Sequence, residues 1–99
     1  MIAEALQTQV LDAVQRLQVA LNDLHAAARK HAETEHAYRQ ARANAYIEYA
    51  SGEKRTVELL KSMVDLKCEK PMWQIRLAEA EHESAQELVV SLRQQISAF

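Results

Sequence analysis

The residue pattern with the most defined chemistry is a repeated Glu-x-x-His. It occurs as Glu33-Thr34-Glu35-His36 and again as Glu79-Ala80-Glu81-His82. Two such motifs on facing helices supply the carboxylate and imidazole ligands of a di-iron bundle. Within each motif the spacing suits a helix, because residues i and i+3 share a face. If the chain folds back at Ser51-Gly52, however, His36 faces roughly residue 67 and His82 faces roughly residue 21. At a rise of 1.5 Å per residue the two motifs then lie more than about 20 Å apart along the axis. Only two copies of the chain could join them, so no metal and no cofactor is assigned.

Nucleophilic chemistry has less support. Cys68 is the only cysteine and has no histidine near it in sequence. The serines sit in ordinary helical context, and there is no glycine-rich phosphate loop. His25, His31 and His36 fall on polar or seam-edge positions. The chain is therefore read as non-enzymatic, with no catalytic residues. Cys68 is read as a small apolar filler in a reducing compartment.

A third pattern is basic and aromatic. From Arg29 to Arg76 there are ten Lys or Arg against seven Asp or Glu, whereas both flanking stretches are net acidic. Tyr38, Tyr46, Tyr49 and Trp73 lie in the same basic stretch. Cations that follow phosphates, interleaved with rings that stack bases, suit single-stranded nucleic acid. The candidates are Arg39, Arg42, Lys54, Arg55 and Lys61 for phosphate contact, with Lys67 and Lys70 beyond them, and Tyr46 as a stacking ring. The competing explanation is a solvated helix surface, with Tyr38 and Tyr49 on its apolar stripe.

The elements that must position these groups are helices. The 99 residues contain one Gly and one Pro, too few turn formers for a sheet protein, and strong helix formers dominate. The spacing predicts an all-α, single-domain, antiparallel helical hairpin over 1–99: a first arm over about 2–50, a turn at 51–53 and a second arm over about 54–98. Gly52 is expected to take the left-handed conformation that ends a helix. Ser51 or Thr56 is expected to cap the second arm, with Glu53 placing a negative charge at its start.

In the first arm Ala3, Val10, Leu17 and Leu24 recur every seven residues, with Val14, Leu21 and Ala28 between them. This is the narrow seam of a coiled coil. After Ala28 that heptad is expected to fail, because His31, Glu35 and Arg42 would fall on it, and a shifted stripe through Tyr38, Ala41, Ala45 and Tyr49 takes over. The second arm carries a stripe at Val57, Leu60, Val64, Cys68, Met72, Ile75, Ala78, His82, Ala85, Val89, Leu92, Ile96 and Phe99. Pro71 interrupts it, which predicts a kink or short break near Lys70. Two slender arms cannot hide both stripes alone, so an oligomeric bundle is expected, with Val10, Leu17, Leu21, Leu24, Val89, Leu92 and Ile96 as its seam.

The formal charge of −2 gives no global field toward nucleic acid or membrane. No apolar run reaches the length of a membrane span, and the first residues lack a signal-peptide pattern. A cytoplasmic protein with no membrane partner is expected.

The run Tyr38-Arg39-Gln40-Ala41-Arg42-Ala43-Asn44-Ala45-Tyr46-Ile47-Glu48-Tyr49-Ala50-Ser51-Gly52 resembles the end of the first helix in small tailed-phage proteins related to the recombination mediator UvsY. Lys61, Asp65, Trp73, Leu77 and the stretch from Glu87 to Arg93 fit the outline of their second helix. The resemblance covers about residues 38–95. It implies a homo-oligomer that binds single-stranded DNA and helps load a recombinase onto strand held by a single-strand-binding protein. Arg39, Arg42, Lys54 and Arg55 would then be the main DNA contacts. The alternative function is a protein–protein adaptor or inhibitor that docks an amphipathic helical face on a host or phage protein. A purely architectural assembly component is a third reading.

Overall fold

A computed structural model of the chain describes residues 2–52 and 54–99. Its described residues form three helices, α1 (Ile2–Ala50), α2 (Val57–Lys67) and α3 (Glu69–Ser97), and no strand. The chain groups into two compact units. Unit 1 comprises Met1–Arg29 and Ala80–Phe99, and unit 2 comprises Lys30–Glu79.

In unit 1, Ala20 of α1 packs with Val89 and Leu92 of α3, and Leu17, Leu21 and Leu24 close around them. Five of the seven residues expected to form the seam between copies therefore pack against one another within one chain. Val10 and Ile96 are half-buried. The chain supplies much of the cover that sequence alone assigns to sister copies.

In unit 2, Ala45 of α1 packs on Val64 and Cys68, flanked by Tyr38, Ala41, Tyr46 and Tyr49. Val64 is completely buried and Cys68 nearly so. No polar or charged residue is buried among the described residues.

The first-arm stripe differs from the expected one in two ways. The small residues Ala13 and Ala20 are buried, whereas Val14 stays 37% exposed. The covered positions Val10, Ala13, Leu17, Ala20, Leu24 and Ala27 alternate steps of three and four. The same alternation runs on through His31, Thr34, Tyr38, Ala41 and Ala45, so no change of phase occurs after Ala28. Methyl side chains allow close helix approach, and a half-buried imidazole or hydroxyl can occupy a seam position without losing its polar contacts. The second-arm stripe is as expected from Leu60 to Ile96, with Val57 and Phe99 exposed at its ends.

The end of α1 is closed by side chains. Ser51 N–H donates to the Ile47 carbonyl at 3.2 Å, and Ser51 Oγ to the Glu48 carbonyl at 2.9 Å. Arg55 Nη1 donates to the Tyr49 carbonyl at 2.7 Å. These bonds satisfy carbonyls that a helix end otherwise leaves open, and Arg55 places a positive charge against the negative end of the dipole. Gly52 has no positive φ, so the expected left-handed cap does not form. The side-chain donors take its place.

Thr56 is the N-cap of α2, its Oγ1 accepting from the Leu59 N–H at 3.2 Å. Ser51 belongs to the preceding helix end. Glu53, expected to place charge at the start of the second arm, lies outside the described residues. Because Lys54–Thr56 is non-helical, α2 starts later than expected. Arg42 consequently meets Asp65, where a turn at Ser51-Gly52 would have set it opposite about residue 61.

The short break expected near Lys70 falls at Cys68, with helix on both sides. Pro71 has no N–H to give the Lys67 carbonyl, and its ring clashes with that carbonyl in a continuous helix. A reset at Cys68 (φ −100°, ψ 16°) places Pro71 in the first turn of α3, where no N–H is needed. The bonds on either side persist, Cys68 N–H to the Val64 carbonyl and Met72 N–H to the Cys68 carbonyl, both 3.0 Å. That is why the stripe keeps its phase.

Candidate functional site

The residues proposed to contact phosphate divide into two groups. Arg42, Arg55 and Tyr46 are engaged inside unit 2. Arg42 Nη1 lies 2.6 Å from Asp65 Oδ1 on α2 and 3.3 Å from Tyr38 Oη, while its Nη2 donates to Tyr46 Oη at 3.4 Å. The guanidinium also sits 5.5 Å from the centre of the Tyr46 ring. The hydrogen bond to Asp65 above all, aided by the two tyrosines, raises the Arg42 pKa above the ordinary arginine value. Tyr46 packs at the edge of the Ala45–Val64–Cys68 cluster. Arg55 stacks 5.8 Å from the Tyr49 ring while it caps α1.

Arg39, Lys54 and Lys61 form the exposed group. Arg39 pairs with Glu35 one turn back along α1. Lys67 approaches Glu48 at 4.0 Å, and Lys70 is exposed. The basic character of the middle of the chain is also modest. Unit 2 carries nine Lys or Arg against eight Asp or Glu, whereas unit 1 carries three against six. A single-stranded nucleic acid would meet scattered lysines here, with the aromatic Tyr46 turned into the helix interface.

The Glu-x-x-His motifs are divided between the units, Glu33–His36 lying in unit 2 and His82 in unit 1. Among the described residues no group of three or more His, Cys, Asp or Glu side chains is placed to hold a metal ion. Cys68 is a buried free thiol beside Val64 and Ala45.

Sequence reasoning missed a second apolar stripe on α2 and α3. Leu59, Leu66 and Trp73 recur every seven residues and are 51%, 73% and 63% exposed. Met63 and Leu77 fall between and beyond them at steps of four and three, with Lys70 in the same row. Trp73 carries Arg76 5.8 Å from its ring. The signal was present as a heptad one position off the covered stripe. Unit 1 has its own apolar feature, a groove of about 460 Å³ lined by buried Ala20 and Leu92, by exposed Val19 and Leu88, and by Asp12, Arg16 and Asp23.

No helix among the described residues is long and apolar enough to cross a membrane. The chain matches no protein-family model, no curated protein and no solved structure.

Proposed function

We propose that this chain is a non-enzymatic helical docking module, a hairpin whose outer α2–α3 face receives a helix from another protein chain. The observation that carries this reading is the row Leu59, Leu66, Trp73 and Leu77, more than half exposed throughout. A helix with one covered stripe and a second, heptad-spaced open one has the geometry of a bundle member with a neighbour still to come. The buried set supports the same conclusion, because it is small and rich in alanine, and added cover would stabilise it. The adaptor and architectural readings of the sequence both fall within this class.

The test places a photo-crosslinking amino acid at Leu66 and, as a control, at exposed Lys61, in cells that make the protein. Discrete protein adducts from Leu66 and none from Lys61 are expected. Equal, diffuse labelling at both positions would end the docking reading.

A second reading, single-stranded DNA binding in a UvsY-like recombination role with a recombinase or single-strand-binding protein as partner, is supported by exposed Arg39, Lys54, Lys61 and Lys70. Mass in solution with and without oligo-dT separates the two. DNA binding adds the mass of the oligonucleotide and fades steeply with salt, whereas docking through apolar side chains does neither.

A further inference from the structure

The open row on unit 2 and the groove on unit 1 are both apolar and are complementary in charge. The row is apolar and exposed, with Lys70 in its middle and Arg76 beside Trp73. The groove is concave and apolar, and its rim carries two carboxylates. Asp12 pairs with Arg16 at 2.9 Å, each about half exposed, and Asp23 stands free on the same rim. The charge counts run the same way, unit 1 being net acidic and unit 2 slightly basic. A row pairing with its own copy is less favourable. Centred near Cys68, an antiparallel self-pair sets Lys67 near Lys67 and Glu69 near Glu69, and like charges at such positions oppose association.

We infer that the occupant of the row is the unit 1 groove of a second copy of this chain, so that copies join head to tail. This rests on the docking reading above and adds the partner and the polarity. Val19 and Leu88, 60% and 50% exposed, form the receiving lips, with Leu66 and Trp73 as the inserted side chains and Lys70 reaching the Asp23 side of the rim. Each copy then has one donor and one acceptor surface, and an interface of that kind propagates into a ring or a filament.

Head-to-tail joining makes a prediction that a two-fold interface does not. Leu66→Lys with Trp73→Lys removes the donor surface, and Val19→Glu with Leu88→Glu removes the acceptor. All four side chains are at least half exposed, so both variants should keep wild-type helix content by circular dichroism. Serine versions of the same pairs serve if either charged variant unfolds. By light scattering, wild type should assemble with concentration, and each variant alone should stay at the single-chain 11.3 kDa. An equimolar mixture should give a species of twice that mass and no larger, because the intact donor of one meets the intact acceptor of the other.

A Val19→Glu, Leu88→Glu variant that still dimerises alone would show a two-fold interface between rows and overturn the inference, and so would a mixture that stays at the single-chain mass while wild type assembles. Wild type that remains a single chain at high concentration would overturn it as well. Adducts from Leu66 to a different protein would then leave the docking reading standing, and their absence would remove both.

Discussion

Arg42 on α1 and Asp65 on α2 form an ion pair across the helix interface, Nη1 to Oδ1, at 2.6 Å, and the tyrosines at 38 and 46 hold the same guanidinium. Asp65 is half exposed, so water screens the pair and its contribution is about 0.5–1 kcal/mol. Asp65→Asn should lower unfolding free energy by that amount in urea, and the exchange Arg42→Asp with Asp65→Arg should recover part of it. The raised Arg42 pKa keeps the folded-state charge in place below the ordinary arginine range and loses it only above. The Arg42 contribution should therefore be flat between about pH 6 and pH 10, read from urea midpoints across that window.

The engagement of Arg42 and Arg55 changes how a DNA test is built. Reversing either charge disturbs the fold as well as any phosphate contact. Lys54→Glu with Lys61→Glu alters exposed side chains instead. Under the DNA reading this pair should weaken oligo-dT binding and reduce its salt slope by about two, without moving the urea midpoint. Under the docking reading it changes nothing.

In the link between α1 and α2, a methyl group added at Gly52 would lie 3.7–3.8 Å from the Arg55 guanidinium and the Tyr49 carbonyl, which is ordinary contact. With no positive φ to preserve, Gly52→Ala should stabilise by about 0.4–1 kcal/mol through the unfolded chain. Thr56→Ala, which removes the cap of α2, should cost about 1 kcal/mol. Thermal melts of the two variants should move in opposite directions.

Val64 has no exposed surface, so Val64→Ala should destabilise by about 2 kcal/mol. Cys68 beside it offers a label-based readout. A thiol reagent should modify native protein slowly and denatured protein quickly, and Val64→Ala should speed the native reaction. Rapid modification of native wild type would contradict the packing described for unit 2.

Pro71 sits in the first turn of α3 because the helix resets at Cys68. Pro71→Ala restores the missing N–H, and the Lys67 carbonyl can then accept it. Amide exchange should show protection at residue 71 and a more regular helix through Cys68, with the covered stripe unchanged.

Much of the fold was legible in spacing. The stripe from Leu60 to Ile96 needed only steps of three and four, and Pro71 announced a break. Two features were not legible, because they depend on what lies opposite. Whether Ala13 or Val14 turns inward depends on how closely the neighbouring helix approaches, and a methyl allows more than an isopropyl. The tasks of Arg42 and Arg55 depend on register, which the non-helical stretch Lys54–Thr56 displaced from the expected value. For the candidate site, composition drew attention to the middle of the chain. It could not separate an arginine spent on a carbonyl from a lysine left in water.

Among the described residues no polar side chain is fully buried, so the interior of the molecule carries no strong internal ruler. In unit 2, methyls, a valine and a thiol meet across α1 and α2, and none of them makes a directional contact that would resist sliding. What forbids the slide is the brevity of the link from Ser51 to Thr56, with the ion pairs Arg42–Asp65 and Lys67–Glu48 as latches. Threading a flexible heptad into that link would give the two helices several alignments of nearly equal depth, and the row of leucines facing outward would lose its fixed address.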